Sequence, residues 1–321
     1  MHLSRRSRWL IFTLVLYLAC CLLGGVYIAD GALHPARRDL TEAQAAGFRR
    51  AAAPLAARIE DVSIRTPDGA LLQGWLVHPL QANNDTVLLL HGLGDNRLGM
   101  TGYAVMLLRH GYTVLLPDAR AHGSSGGSLA TYGLLERNDV RQWVDFVEAK
   151  VKPHCVYGLG ESMGAAQLLE SLDARAGFCA VVAESPFSDF RQIAYDRMGQ
   201  PFHLGSWMGR IFLRPLVEVA FVRAHWKYGL DMQQVSPEDA VGRSRVPVLL
   251  IHGQVDSNIP VRHSIRIHTR DPRTVFWEVP AADHCGALSA APQEFESRVV
   301  TWMGQLSGAK AQDFNLGFTR R

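Results

Sequence analysis

Gly160-Glu161-Ser162-Met163-Gly164 follows the apolar run Cys155 to Leu159 and precedes a small-residue helical pattern, Ala165 to Leu169. Strand, G-x-S-x-G and helix, in that order, is the context of a nucleophile elbow. A serine on so sharp a turn holds a strained backbone conformation, and its hydroxyl stands clear of the sheet. Gly160 and Gly164 carry no Cβ, so strand and helix can pass close to the turn. The helix N-terminus adds free N–H groups and a positive dipole end beside the nucleophile. A serine nucleophile needs a base, and the base needs an orienting carboxylate. Two later strand ends offer them. Val248 to Ile251 runs into His252-Gly253-Gln254-Val255-Asp256, and Thr274 to Val279 runs into Pro280-Ala281-Ala282-Asp283-His284. Asp256 would accept the Nδ1 proton of His284, and His284 Nε2 would take the proton of Ser162. Glu184 and Asp189, after the strand that follows the elbow, could supply the acid instead; strand-end placement and chain order favour Asp256. The glycine-rich His91-Gly92-Leu93-Gly94 also follows a strand. The backbone N–H groups of Leu93 and Met163 are the expected donors to a developing oxyanion, and their side chains are expected to line the acyl pocket. The chemistry is acyl transfer through a serine.

The remaining histidines carry plainer readings. His91 and His252 precede glycines at strand ends and are expected to support loop geometry, as is His122 in its turn. His263 and His268 lie five apart and share no helix face, and no H-E-x-x-H occurs, so no metal site is expected. Glu161 is read as a packing or loop-bonding group pointing away from the base. No cofactor is required.

These residues need a scaffold that brings strand ends together. Glu60 to Arg65 and Leu71 to Val77, joined by Pro67-Asp68-Gly69, read as a hairpin. Strands are expected at Thr86–Leu90, Thr113–Leu116, Cys155–Leu159, Ala180–Ala183, Val246–Ile251 and Thr274–Val279. Helices are expected at Met100–Arg109, Glu136–Val147, after the elbow, and at Phe295–Leu306. This alternation means a mainly parallel sheet flanked by helices, an α/β architecture with its site at the carboxyl ends of the strands. Residues 186–245 break the rhythm and hold Phe202, Trp207, Phe212, Phe221 and Trp226; they read as an inserted helical cap. Residues 30–59 read as a juxtamembrane linker, 60–306 as the main domain and 307–321 as a flexible tail.

Several motifs in order give this chain a resemblance: Asp68-Gly69, His91-Gly92, Pro117-Asp118-Ala119-Arg120-Ala121-His122-Gly123-Ser124-Ser125, the elbow, His252-Gly253 through Asp256, and His284. Over roughly residues 60 to 306 it resembles the α/β-hydrolase superfamily, and within it the membrane-anchored monoacylglycerol-lipase-like and BEM-type serine hydrolases. The resemblance implies the α/β-hydrolase fold. Ala121 departs from it, standing where such proteins usually carry glycine.

The chain has 321 residues and a formal net charge of +3, and no basic patch is interleaved with aromatics; nucleic acid is not an expected partner. Arg5, Arg6 and Arg8 precede Trp9 to Ala29, a stretch without a charge that is long enough to cross a hydrocarbon core of about 30 Å. Residues 1–29 therefore read as a transmembrane signal anchor. The arginines place the N-terminus inside and the catalytic domain on the non-cytoplasmic side, the periplasm if the source is bacterial. A small-molecule or lipid-like acyl ester is the expected substrate. A peptidase or amidase on the same three residues is the second reading, and a non-catalytic binding protein the third. Cys155, Cys179 and Cys285 show no metal spacing and are expected to be buried free thiols; pairing of Cys155 with Cys179 is the alternative.

Overall fold

The computed structural model describes residues 4–174, 176–200 and 210–318, with side chains described through residue 307. The chain divides into two compact units, one of residues 35–189 with 235–321, the other of residues 1–34 with 190–234.

The larger unit is built on one eight-stranded sheet in the order β1-β2-β4-β3-β5-β6-β7-β8. The strands are β1 (Arg58–Arg65), β2 (Leu71–His78), β3 (Thr86–Leu90), β4 (Thr113–Pro117), β5 (Val156–Glu161), β6 (Ala180–Glu184), β7 (Val248–Gly253) and β8 (Val275–Val279). The expected hairpin is present, β1 and β2 pairing antiparallel. β2 also runs antiparallel to β4, and every later pair is parallel. The parallel strands read as continuous apolar runs because both faces are covered. Alternation then splits each strand between two cores. Val87 and Leu89 of β3 join Tyr103, Trp277 and Phe295 on one side, whereas Leu88 and Leu90 join Val140, Trp143 and Leu168 on the other.

Helices α3 (Thr101–Arg109) and α8 (Pro292–Phe318) carry residues of the first core, α4 (Glu136–Lys150) and α5 (Met163–Ser171) of the second. α8 runs past the expected end at Leu306; residues 319–321 of the expected tail lie outside the described residues. Residues 30–33 of the anticipated linker end the long N-terminal helix Arg5–Leu33, and the linker also holds α2 (Glu42–Ala52), whose Phe48 stacks on Trp75 at a ring distance of 5.4 Å.

The cysteines correct the sequence reading. Cys155 and Cys179 are joined in a disulfide, with Cα atoms 5.7 Å apart, and are not free thiols. Each stands immediately before one of two adjacent parallel strands, β5 and β6, and the pairing of Tyr157 with Ala180 brings both to one edge of the sheet. Cys20, Cys21 and Cys285 are free.

In the smaller unit, α1 (Arg5–Leu33) is the one helix among the described residues that is long and apolar enough to cross a membrane. The unit also holds α6 (Phe190–Gly199) and α7 (Arg214–Tyr228). α1 packs along α7. Tyr17 donates to the Phe212 carbonyl, and Gly25 comes so close that an added Cβ would lie 2.7 Å from Val219 Cβ. Asp30 is held by Arg223 and Lys227, each at 3.1 Å, and by the Tyr228 hydroxyl at 2.8 Å. Residues 201–209 of the anticipated cap, Phe202 and Trp207 among them, lie outside the described residues.

Candidate active site

Four of the strands that end on one side of the sheet each deliver one part of the site. β5 ends at Glu161, and Ser162 follows in the left-handed region at φ +53°, ψ −116°. Backbone strain of this kind persists only where the surroundings over-determine it. Here the glycines do so. A Cβ on Gly160 would meet the Gly164 carbonyl carbon at 2.7 Å, and one on Gly164 would meet the His91 carbonyl oxygen at 2.7 Å. α5 begins at Met163, leaving the first N–H groups of the helix without intrahelical acceptors beside the serine.

β7 ends at Gly253 and turns at once into the loop of Asp256. Asp256 Oδ1 accepts from the N–H groups of Asn258 at 2.9 Å and Ile259 at 2.7 Å, which fixes the carboxylate plane. β8 ends at Val279, and its loop carries His284. His284 Nδ1 lies 2.9 Å from Asp256 Oδ2, and His284 Nε2 lies 2.9 Å from Ser162 Oγ. Burial disfavours the charge on Asp256. Hydrogen bonds from His252, His284 and the Ile259 N–H outweigh it and hold the carboxyl well below the usual carboxylate range. An ionised Asp256 can only accept, so the His284 Nδ1 proton belongs in that bond, and Nε2 is left to accept from the Ser162 hydroxyl.

Three further groups fix this chain of bonds. Asp283 accepts from the N–H groups of Ser257 and His284, each at 2.8 Å, and so ties the Asp256 loop to the His284 loop. His252 Nε2 lies 2.8 Å from the Ile259 carbonyl oxygen and 3.3 Å from Asp256 Oδ2, behind the carboxylate. Ser264 Oγ holds the other ring nitrogen of His252 at 2.7 Å.

β3 ends at Leu90 and leads into His91-Gly92-Leu93-Gly94. The loop runs beside Ser162: a Cβ on Gly92 would lie 3.5 Å from Ser162 Cβ. Leu93 is largely exposed, and Met163 is buried. His91 Nε2 accepts from the Ala119 N–H at 3.0 Å, so Nδ1 donates to the Gly92 carbonyl at 2.8 Å. Burial pushes this imidazole down to about 4, so it stays neutral as the brace between two loops. The turn after β4 holds Ala121 at φ +59°, the conformation for which glycine is the usual residue.

Sequence reasoning passed over a second acidic cluster. Glu161 and Glu184 are paired across β5 and β6, so their side chains project to the same face. The Tyr103 hydroxyl lies 2.8 Å from Glu184 Oε2 and 3.4 Å from Glu161 Oε2. Burial, the neighbouring Glu184 and Asp95 push Glu161 up to about 8. Glu184 meets Tyr103 and the backbone of Ala287, and Asp256 is the carboxylate at His284. The signal was available: two glutamates ending neighbouring parallel strands. His263, read without a metal role, lies 2.9 Å from Ser188 Oγ.

The alpha/beta hydrolase family matches residues 87–298. The uncharacterized protein YqkD of Bacillus subtilis is 32% identical over 211 residues, 64% of this chain and 66% of that protein. The uncharacterized protein YfhR of Escherichia coli is 26% identical over 72% of this chain and 75% of its own. Among solved structures, the esterase Pf2001 of Pyrococcus furiosus superposes with a TM-score of 0.67 at 25% identity, covering 86% of this chain and 100% of that one.

Proposed function

This chain belongs to the α/β-hydrolase family, and we propose that it is a serine hydrolase that cleaves carboxylic esters through Ser162, His284 and Asp256. The observation that carries the reading is the unbroken line of two 2.9 Å hydrogen bonds from a serine at positive φ through an imidazole to a buried carboxylate. Ser162 Oγ attacks the acyl carbonyl carbon while His284 Nε2 takes its proton. The oxyanion accepts hydrogen bonds from the Leu93 and Met163 N–H groups, whose side chains border the acyl group. His284 then protonates the leaving alcohol, and an acyl-enzyme remains. A water deprotonated by His284 releases the acid and restores Ser162. Asp256 keeps the imidazole in the required tautomer and stabilises its positive charge. General acid–base assistance of this kind contributes about 10²–10⁴ in rate, and each oxyanion donor about 10²–10³.

Esters are favoured over amides because the similar solved structure is an esterase. A lipid-like acyl group is favoured because the chain carries an apolar N-terminal helix and an aromatic-rich insertion. In this proposal α1 anchors the protein in a membrane. The Cys155–Cys179 disulfide supports a catalytic domain in an oxidising compartment, in agreement with the arginines before the span.

The test is hydrolysis of a short p-nitrophenyl ester together with labelling by a fluorophosphonate. Wild type is expected to turn over the ester and to be labelled at Ser162; Ser162→Ala is expected to do neither while keeping its fold by circular dichroism. Turnover by the alanine variant would end the assignment. Comparing ester with aminoacyl-amide turnover separates the peptidase reading.

A further inference from the structure

We propose that Glu161 and Glu184 form an acid pair that holds one proton between them with Tyr103, and that this pair positions the three loops of the candidate site and sets the alkaline limit of its activity. The inference rests on the serine-hydrolase reading above but concerns residues outside the Ser162, His284 and Asp256 chain.

Connectivity is the first argument. Glu161 directly precedes Ser162, and its carboxyl lies beside the oxyanion loop, where a Cβ on Gly92 would sit 3.7 Å from Oε1. Glu184 holds the elbow through its backbone, accepting the Ser162 N–H at 2.8 Å. Its side chain reaches the third loop, Oε1 accepting from the Ala287 N–H at 2.9 Å, just beyond His284. One pair of side chains thus touches the loop that would polarise the carbonyl, the loop that carries the nucleophile and the loop that carries the base.

The second argument is a count of protons. The Tyr103 hydroxyl has one proton and two carboxylate neighbours, at 2.8 and 3.4 Å. It donates to Glu184, the nearer. Its contact with Glu161 becomes a hydrogen bond when Glu161 is protonated and donates to the phenol oxygen. Two ionised carboxylates on one phenol, both buried, repel each other in a medium that screens them poorly.

Among the described residues no arginine or lysine pairs with either glutamate, and Arg38 is bound to Asp95 at 2.9 Å. Glu161 and Glu184 face Tyr103 from α3, Asp95 from the loop after β3, Cys285 and His284 from the loop after β8, and His252 from the end of β7. Burial, Glu184 and Asp95 keep Glu161 protonated up to about pH 8, and burial pushes Cys285 up as well. Burial disfavours the charge on Glu184, whereas hydrogen bonds from the Ala287 N–H and the Tyr103 hydroxyl favour it, as do the His284 and His252 imidazoles when protonated. The one proton of the pair therefore sits on Glu161, and above about pH 8 it leaves. The repulsion then falls between the oxyanion loop and the base loop, and both shift relative to Ser162.

The experiment is the pH profile of kcat and KM for a soluble short-chain ester with the full-length chain in detergent. Wild type is expected to lose kcat above about pH 8. Glu161→Gln keeps the shape and a polar group beside Tyr103 but cannot ionise. It is expected to lose at most about tenfold in kcat at pH 7, to leave KM within about twofold, and to move the alkaline limb up by about one pH unit or more. Glu161→Leu, which leaves the Tyr103 contact without a polar partner, is expected to lose kcat at every pH. An unchanged alkaline limb in Glu161→Gln overturns the proposal. The infrared difference spectrum at pH 7 is the second measurement: wild type minus Glu161→Gln should show a protonated carboxyl stretch. A difference spectrum without that band also overturns it. Failure of the underlying reading looks different, because then the fluorophosphonate leaves Ser162 unlabelled at every pH.

Discussion

A serine hydroxyl is a poor nucleophile at neutral pH unless its proton has an acceptor already in place. At the residue scale, that acceptor is prepared from behind. Asp256 is kept ionised by two backbone N–H groups, His252 and His284, so it remains a pure acceptor as far down in pH as the fold survives. Asp256→Asn retains the shape but offers an amide N–H where a carboxylate is needed. It is expected to lower kcat by about 10³–10⁴ with little change in KM, read from initial rates at saturating ester. Glu161 makes the opposite prediction about stability. Its folded-state value, about 8, is raised above the ordinary 4.5. The native state therefore binds a proton that the unfolded chain has released, and stability falls as pH rises from about 4.5 to about 8. Denaturant melts of Glu161→Gln across that window should show a flatter slope and a higher midpoint than wild type at pH 8; an identical slope would refute the assignment. The hydrogen-bonded chain was legible because Ser162, Asp256 and His284 stand at strand ends in a fixed order. Glu161 and Glu184 were harder to read: both end apolar strands, but their meeting depends on the β5–β6 register and on Tyr103 from a separate helix.

The elements were legible where one periodicity governed them. β3 and β4 are pure apolar runs, and α4 repeats Val140, Trp143, Val144 and Val147 at helical spacing, so their places followed from pattern alone. The disulfide was harder to read, since Cys155 and Cys179 lie in the connections before β5 and β6 and meet only because those two strands are neighbours in the sheet. Closing a loop of sequence separation 24 restricts the unfolded chain. Cys155→Ala with Cys179→Ala is expected to cost about 3 kcal/mol, measured as a lower denaturant midpoint with a steeper slope, since the freed unfolded chain exposes more surface. Treating wild type with a reductant under unfolding conditions should reproduce that loss and leave the double variant unaffected. The glycines of the elbow act at the same scale but through geometry. Gly164→Ala would drive a methyl into the His91 carbonyl oxygen, so the strand-to-helix turn must open. Fluorophosphonate labelling of that variant should slow markedly even where the fold persists.

At the scale of the whole molecule, the chain is two units, and the N-terminal helix belongs to the smaller one. A free tether between membrane and enzyme would present one face like another. α1 instead buries Cys21, Gly25, Ala29 and Leu33, a stripe at intervals of four, and closes it with the Asp30 cluster. Small residues on that stripe let the α1 and α7 backbones approach closely, as at other helix pairs packed through glycine. Within this unit α7 has a second set of partners on α6: Phe190 packs edge-on to Phe221, and Glu218 receives Arg191 and the Tyr195 hydroxyl. Removing residues 1–34 should therefore strip α7 of one set of its partners, with Leu216 and Val219 uncovered and Arg223 and Lys227 without Asp30. The sheet of the larger unit lies wholly within residues 35–189 and 235–321 and should keep its cooperative melt. Limited trypsin digestion is the measurement, because Arg210, Arg223 and Lys227 are its targets in and beside α7. Cleavage there is expected to accelerate about tenfold or more in the truncated chain, as local opening becomes easier. Gly25→Leu in the intact chain should act in the same direction, because its side chain would meet the Leu216 carbonyl and Val219 and part the two helices. Equal cleavage rates in wild type and both variants would show that α1 does nothing more for α7 than precede it.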